Sequence, residues 1–459
     1  MRYLSSLRLG TLAVVVLLAS CGGSENEVTA YYVRAVHALV DGPRIQMNVS
    51  ELPLHSSVEY LKATRMSIPV SKGGTTDIAT VELKAFTPAG ETIIIDTIPD
   101  YEFSGNVEYT VVTAGTLANP TTFITSNPRR VKPVTGGYLE FIHASVDLGP
   151  LDIFLTDPGV DLIGVTAYTT LTFTESSGSL EITPGEYQVR VTYSGTTDVV
   201  FDSGTLDLTG DAERQMIFVD NAGNSSAALN MIRTYGQDSV LSGDVTFGGR
   251  VRGLNIDVVE GPLDILAGPA QTSVALALDY GSLGEFVVLG AGDQDFLVTP
   301  AADITTSLLQ LTDTVEAGKE YTFVTGSSPE GMIGVLGADD RRSVATEARI
   351  RAIHGINTGE ILNVYLSEAL PTTMPPTFSD GIIRNLGYGS TSNLYAGEPG
   401  EYYLSITTRA ELAGAGEANL VEPFVVQLNG GDNLTILIIQ ASATEQTPYQ
   451  VVLVDETLN

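Results

Sequence analysis

Histidine and aspartate recur at one spacing in this chain, and pairs of this kind can do chemistry. His37 precedes Asp41 by four residues, His143 precedes Asp147 by the same step, and a third histidine, His354, opens a similar segment. Such a pair can supply two metal ligands, or a general base and the carboxylate that orients it. Each segment offers only one imidazole, however, whereas a transition-metal site usually takes three or four protein ligands. We therefore expect a structural role, in which the ring bonds to the aspartate or to turn backbone and fixes the first turn.

The composition leaves little material for other kinds of catalysis. The chain has 4 His, 1 Cys and no Trp. It contains no Gly-x-Ser-x-Gly elbow, no Walker loop and no His-Glu-x-x-His pattern. We expect no catalytic residue, no metal ligand set and no cofactor, and we interpret the chain as non-enzymatic. The competing interpretation is an envelope hydrolase that works with carboxylates.

Calcium is the one ion that the acidic turns could hold, because it prefers oxygen ligands. The candidates are the pairs Asp293 with Asp295 and Asp339 with Asp340. The chain has no Asp-x-Asp-x-Asp-Gly loop with a glutamate twelve places from its first residue. Calcium binding therefore stays an alternative to the structural interpretation.

The histidines belong to a repeated segment whose clearest copy covers residues 139–154. Leu139 and Phe141 share a face with His143, since side chains two apart in a strand point the same way. A turn-like stretch follows, and then a second alternating run that begins at Leu151. The segment predicts two short strands joined by a turn, and copies begin near residues 33, 249 and 350.

One spacing relates the copies. The step from the histidine to the first apolar residue of the second strand is eight positions for His37, His143 and His354. The third copy aligns with Gly253 at the histidine position if its turn carries a two-residue insertion. We interpret that copy as degenerate.

Alternating strands and turn signals recur with a period of about 100 residues, which predicts an all-β chain of four tandem sandwiches. A single propeller is less favoured because its blades usually repeat every ~40–50 residues. If each sandwich is ~34 Å across, four in a straight line would reach ~130 Å. The expected domains are repeat 1 at 30–135, repeat 2 at 136–240, repeat 3 at 243–343 and repeat 4 at 346–459.

The first residues predict export and lipid anchoring. Arg2 and Arg8 precede an apolar run that is too short to span a bilayer and is typical of a secretory signal. The run ends in Leu-Ala-Ser-Cys at residues 18–21, which resembles the bacterial lipobox, whose cysteine is lipidated; an ordinary signal peptide followed by an idle cysteine is the alternative. We therefore expect a signal peptide at 1–20, lipidation of Cys21 and a polar tether at 21–29. Glycine after the cysteine, rather than aspartate, resembles lipoproteins sent to the outer membrane.

The strong negative charge limits the possible partners. Removal of residues 1–20 takes away two arginines and no acid, so the formal charge of −32 becomes −34. Such a polyanion repels phosphates instead of releasing their counterions, so we expect no nucleic-acid partner. We expect contact with the membrane through the N-terminal lipid, and an envelope protein or a glycan as the possible partner.

The repeated motif resembles a known bacterial domain family of unknown function, whose opening signature runs close to His-Ala-Ser-Pro-Asp-Ala-Pro. His143-Ala144-Ser145-Val146-Asp147 matches best, and the segments that begin at His37 and His354 match more loosely. Later Pro-Gly-Glu-Tyr and Glu-Tyr-Thr-Val-Val strands extend the resemblance over nearly all of the mature chain. The resemblance implies immunoglobulin-like sandwiches in tandem and a cell-envelope location, and it brings no catalytic residues.

These observations predict an outer-membrane lipoprotein, periplasmic or surface-exposed, whose four sandwiches act as a spacer or as an interaction or adhesion array. Binding would use loops or exposed strand edges. The alternative is a ligand- or calcium-binding envelope protein with sites in the acidic turns or between repeats.

Overall fold

The computed structural model describes residues 30–69, 76–130, 136–208, 214–222, 227–235, 238–357, 359–372, 376, 380–409, 418–441 and 448–457. The expected signal peptide, the lipidated Cys21 and the tether lie outside these residues. Among the described residues, no helix has the length and apolar character needed to cross a membrane.

The described chain is built from strands, because its apolar residues alternate with the period of two that places one face of a strand in a core. Domain 1 contains β1 Tyr32–Leu39, β2 Ile45–Val49, β3 Leu52–Val58, β4 Lys62–Ala63, β5 Thr76–Phe86, β6 Thr92–Ser104, β7 Val107–Gly115 and β8 Pro120–Pro128. Domain 2 contains β9 Gly137–Ala144, β10 Leu151–Thr156, β11 Thr169–Leu171, β12 Leu180–Ile182, β13 Glu186–Tyr193, β14 Val199–Asp207, β15 Arg214–Asp220, β16 Leu229–Tyr235 and β17 Asp238–Ser242.

The second half of the chain repeats this plan. Domain 3 contains β18 Gly249–Asn255, β19 Leu263–Ala267, β20 Thr272–Leu278, β21 Val287–Leu289, β22 Gly292–Pro300, β23 Leu309–Val315, β24 Glu320–Ser328 and β25 Gly331–Asp339. Domain 4 contains β26 Ala348–Gly355, β27 Leu362–Ser367, β28 Gly381–Leu386, β29 Tyr395–Gly397, β30 Gly400–Thr408, β31 Ala418–Asn419, β32 Phe424–Leu428, β33 Asn433–Gln440 and β34 Tyr449–Asp455.

Each domain packs two β-sheets against each other, and the four domains share one topology. The first strand of a domain pairs in parallel with a late strand, as β1 does with β7, β9 with β15, β18 with β24 and β26 with β33. The second strand lies in the opposite sheet, so the turn between the first two strands crosses the sandwich. The prediction of an all-β chain of tandem sandwiches is confirmed.

Each sandwich encloses its own apolar core. The template residues Leu139, Phe141 and Ile153 have no exposed surface and lie in the core of domain 2. Separate clusters fill domains 1, 3 and 4. Burial of apolar surface on this scale stabilises each sandwich by roughly 25 cal/mol for every Å² removed from water.

Two further apolar clusters lie between domains. Val36 and Ala38 of β1 point away from the core of domain 1 and pack against Ile142 and Ala144 of β9, so the two sheets meet face to face. In the same way, Leu254 and Ile256 at the end of β18 pack against Ile353 of β26 and Ile439 of β33. The domains therefore form two pairs, 1 with 2 and 3 with 4.

The two pairs also contact each other. Arg342, in the linker between domains 3 and 4, donates to Gly42 O at 2.8 Å, and Ala345 N donates to Asp41 O at 2.9 Å. Val245 N, after domain 2, donates back to Asp202 O at 3.0 Å. The expectation of a straight line of four domains is wrong, because the apolar second faces of the first strands bury each other.

Candidate functional site

The residue that opens each repeat joins the two ends of the first turn. Its side chain donates to the carbonyl oxygen six residues later, with distances of 2.8 Å for His37 to Pro43, 3.0 Å for His143 to Gly149, 3.1 Å for Asn255 to Gly261 and 2.9 Å for His354 to Glu360. It also accepts the backbone N–H two residues later, from Leu39, Ser145, Asp257 and Ile356, respectively. The side chain thus replaces backbone pairing where the chain crosses between sheets.

The structure corrects the alignment of the third repeat. Arg252 pairs with Thr322 as Arg351 pairs with Thr435, which places Asn255, and not Gly253, at the position of His354. From Asn255 to Leu263 the step is again eight residues, so the third turn carries no insertion. Sequence reasoning missed Asn255, although the constant step of eight would have found it.

The two hydrogen bonds fix the protonation of the three imidazoles. Because Nδ1 accepts from an N–H, the proton lies on Nε2 and the ring is neutral. Burial lowers the pKa of His37 to about 4, although the bond to Pro43 opposes this effect. Burial also lowers the pKa of His143 and of His354. Both nitrogens of each ring are engaged by backbone, which leaves neither available for proton transfer to a ligand.

The aspartates of the predicted pairs lie elsewhere in the turns. Asp41 accepts the Leu117 N–H at 2.6 Å and so ties the first turn of domain 1 to the β7–β8 connection. Asp147 presents its own N–H to Asp220 at 3.4 Å. Asp220 also accepts from Ser145 and from Val146 N and closes the turn of domain 2. The described hydrogen bonds of the imidazoles join them to backbone and not to Asp41 or Asp147.

Polar side chains cross the interface between domains 1 and 2. Gln215 of β15 donates to Thr110 of β7 at 2.8 Å and to Glu140 of β9 at 2.6 Å. Ser176 donates to the other oxygen of Glu140. Thr110, Glu140 and Gln215 are buried, Ser176 is half-buried, and each is hydrogen-bonded, so the network is satisfied.

A compact ionic cluster occupies the equivalent place between domains 3 and 4. Arg252 and Arg351, on the first strands of the two domains, lie between Asp339 at the end of β25 and Glu456 after β34. Arg252 reaches Glu456 at 2.5 Å and Asp339 at 3.3 Å, and Arg351 reaches Asp339 at 2.5 Å and Glu456 at 3.6 Å. Each arginine also bonds to a threonine on the neighbouring parallel strand.

The charges of these four side chains cancel and each is at most 6% exposed, and Arg341 makes a further contact to Glu456 at 3.4 Å. Burial pushes the pKa of Glu456 up, but the hydrogen bond from Arg252 and the charges of both arginines hold that pKa below its usual range. Each arginine contacts both carboxylates, and each carboxylate contacts both arginines. This mutual attraction offsets much of the free energy that is needed to remove the four charges from water. This cluster was not predicted from the sequence.

A cleft lies where the linker between domains 3 and 4 meets domain 1. It has a volume of about 820 Å³ and is lined by Tyr60, Arg44, Glu347, Arg349 and Tyr395, among others. The guanidinium of Arg342 stacks 4.3 Å from the centre of the Tyr60 ring. Arg349 pairs with Asp340 at 2.6 Å. The cleft is therefore lined by both signs of charge.

The acids considered for calcium have other partners. Asp293 and Asp295 accept from Thr314 and Thr312 across the β22–β23 pair at 2.7 and 2.6 Å, respectively. Asp339 belongs to the ionic cluster and Asp340 to the linker. Within the described ranges, no group of three or more His, Cys, Asp or Glu residues is arranged to hold a metal ion.

Of the comparisons with known proteins, one identifies a domain and none identifies an activity. The family model "Domain of unknown function (DUF4397)" matches residues 137–243 and 250–365. The first match covers domain 2, and the second runs from β18 of domain 3 into β27 of domain 4. A comparison with curated proteins gave no match.

Three solved structures show low overall similarity. The Bacillus anthracis TIE protein is 9% identical with a TM-score of 0.16, over 89% of this chain and 68% of that one. The pneumococcal glycogen-degrading virulence factor SpuA is 7% identical with a TM-score of 0.14, over 61% and 37%, respectively. The Streptococcal ancillary pilin is 14% identical with a TM-score of 0.13, over 64% and 95%, respectively. These scores support no conclusion about activity.

Proposed function

We propose that this chain is a lipid-anchored, non-enzymatic protein of the bacterial cell envelope that presents four packed sandwiches as an interaction scaffold. The observation that carries the proposal is the burial of the second face of the first strand in every domain. A strand buried on both faces serves packing between domains, which yields a stiff body instead of flexible beads. The engagement of both imidazole nitrogens by backbone supports a structural role for the repeated turn.

The anchor is inferred from Cys21 and its lipobox-like context, and a Cys21→Ser variant tests it. In a Gram-negative host, the wild-type chain should incorporate labelled palmitate and sediment with outer membranes. The variant should remain unlabelled and stay in the periplasmic fraction, because acyl chains supply the affinity for the bilayer. Membrane retention of an unlabelled variant would contradict the proposed anchor.

The scaffold role predicts saturable binding to another envelope component. Partner segments could pair with open sheet edges, of which the 13-residue β6 at the edge of its sheet is the longest. The full chain without residues 1–20 should capture a component from solubilised envelopes, and excess untagged chain should displace it. If excess untagged chain does not reduce the amount of captured component, the interaction is not specific.

The second candidate function is ligand or calcium binding, and the cleft beside Tyr60 favours it. A ligand held there would contact domain 1 and the domain 3–4 linker together, so binding should raise the melting temperature. If titration with calcium gives neither heat nor a shift in melting temperature, calcium binding is excluded.

A further inference from the structure

Domain 2 carries a second pocket, at the open end of its sandwich, which the scaffold role does not explain. Its volume is about 400 Å³, and its lining combines the guanidinium groups of Arg214 and Arg233 with Met216, Leu208 and Tyr235. Arg214 begins β15, Arg233 lies on the adjacent β16, and both occupy the face of the sheet that carries the core residues Met216 and Met231.

The other three domains place apolar residues where domain 2 has these arginines. The parallel register aligns Arg214 with Tyr109, Tyr321 and Leu434. The antiparallel register aligns Arg233 with Ile124, Leu336 and Leu453. The fold therefore does not require a cation at either place, and domain 2 alone has two.

The two cations line the same pocket as the carboxylate of Asp207, but neither forms an ion pair with a described residue. None of the ion pairs between described residues includes Arg214 or Arg233. Arg214 is 8% exposed, and its Nε has no hydrogen-bond partner among the described residues. Burial, and then the charge of Arg214, lower the pKa of Arg233. Arg214 is buried and Arg233 is half-buried, and a guanidinium group withdrawn from water without an ion pair is costly, so the pair points to a bound anion.

The remaining contacts hold the guanidinium groups in position. Arg214 Nη1 donates to Asp207 O at 3.1 Å, and its Cζ lies 5.4 Å from the centre of the Tyr235 ring. Arg233 Nε donates to Ser242 Oγ at 2.8 Å. One edge of each planar guanidinium is thereby anchored, which leaves other N–H groups to bind a carboxylate.

The rest of the lining identifies the kind of anion. The carboxylate of Asp207 lines the same pocket, where its charge repels a ligand that carries only negative groups. Tyr235 is 57% exposed beside the arginines and offers a ring face against which a sugar ring can pack. A ligand that carries one carboxylate on a small hydroxylated ring matches the two arginines and the exposed ring, and it limits the repulsion from Asp207.

We propose that this pocket binds an acidic sugar of the hexuronate type, with Arg214 and Arg233 receiving the carboxylate and Tyr235 packing against the ring. The site adds a specific ligand to the scaffold and depends neither on the lipid anchor nor on the packing between domains.

The test uses the full chain without residues 1–20 and saturation-transfer NMR with D-glucuronate. Neutral D-glucose and inorganic phosphate are the comparison ligands, because one lacks the charge and the other lacks the ring. Glucuronate should bind at least about tenfold more tightly than either, as loss of a charge-assisted bidentate bond or of ring contacts predicts. Absence of glucuronate binding, equal binding of glucose or equal binding of phosphate would each overturn the proposal.

Two variants assign the binding to this pocket. Arg214→Tyr with Arg233→Leu installs the residues that domain 3 uses at the same places, and Arg233→Gln removes only the more accessible cation. Both should weaken glucuronate binding by about tenfold or more, whereas Arg409→Gln, an exposed arginine of domain 4, should leave it unchanged. If the double variant does not fold, Arg233→Gln alone decides, and undiminished binding by that variant would overturn the assignment.

Discussion

At the scale of single residues, one asparagine explains what three histidines do. Asn255 makes the same two hydrogen bonds to the turn backbone as His37, His143 and His354, with an amide that does not titrate near neutral pH. The shared property is a donor and an acceptor at the right separation, and not the ability to exchange a proton. The histidines are therefore structural groups whose ionisation is harmful to the fold.

The variant His37→Asn tests this interpretation through the pH dependence of stability. The folded pKa of His37 is about 4, below the ~6.5 of an unfolded histidine, so its contribution is intact above pH ~6.5 and decreases as the pH falls toward 4. At pH 5 the loss should be about 2 kcal/mol. Because His143 and His354 remain acid-sensitive in both proteins, urea unfolding at pH 7.5 and pH 5 should show a loss that is smaller in the variant than in the wild-type chain by about this amount.

The reciprocal variant, Asn255→His, is the matched control. It should add to domain 3 an acid sensitivity that the wild-type domain lacks, since a buried neutral ring resists protonation. If His37→Asn loses as much stability between pH 7.5 and pH 5 as the wild-type chain, the imidazole is not the source of the effect.

The residues of the turn show which part of the candidate site was predictable. His37, His143 and His354 stand out because histidine is rare in the chain. Asn255 was missed because the alignment placed Gly253, which follows the basic Arg252, at the histidine position. That placement departs by two residues from the constant step of eight. Arg252 and Arg351 could not be paired with Asp339 and Glu456 from the sequence, since those contacts join strands far apart in the chain.

At the scale of elements, the first strand of each domain determines how the domains associate. Period-two alternation predicted the strands, because one buried face is enough to produce that pattern. The β1 sequence Tyr-Val-Arg-Ala-Val-His-Ala-Leu is apolar on both faces, which is typical of a strand covered on both sides. That signal was present, but the identity of the covering sheet depends on long-range packing that local patterns do not encode.

The ionic cluster should be essential to the association of domains 3 and 4. Glu456→Gln leaves Arg252 and Arg351 facing only Asp339 in a buried place, and breaking such a cluster typically costs about 3–5 kcal/mol. Calorimetry should show a lower melting temperature. The exposed Glu401→Gln removes the same charge from domain 4 and should change stability by less than about 0.5 kcal/mol.

The pH response of the cluster has the direction expected of a carboxylate with a lowered pKa. Its contribution is complete above the unfolded pKa of Glu456 and is lost as the pH falls through the lower folded pKa. Glu456→Gln should therefore reduce the acid sensitivity of the chain below pH ~4.5. Equal stability of Glu456→Gln and the wild-type chain at neutral pH would show that the cluster contributes little.

At the scale of the whole molecule, three kinds of contact oppose an extended shape. Sheet faces join the domains into pairs, the linker residue Arg342 fastens the second pair to the first turn of domain 1, and Val245 returns to domain 2. Gly355 permits a close approach of domains 3 and 4, because a Cβ there would lie 2.8 Å from Ile439 and 2.9 Å from Ile256. The repeat period reveals four sandwiches but gives no information about these contacts.

Small-angle scattering distinguishes the packed body from a straight array. A compact chain of this length has a radius of gyration of about 22 Å, whereas four sandwiches in a line reaching ~130 Å would give ~38 Å. We expect the lower range for the chain without residues 1–20. Arg342→Ser removes the donor to Gly42 and the stacking on Tyr60, and it should increase the radius by loosening one pair from the other, while Arg409→Gln should not. A wild-type value near 38 Å would mean that the interfaces between the domains do not hold in solution, and the rigid scaffold would then have to be abandoned.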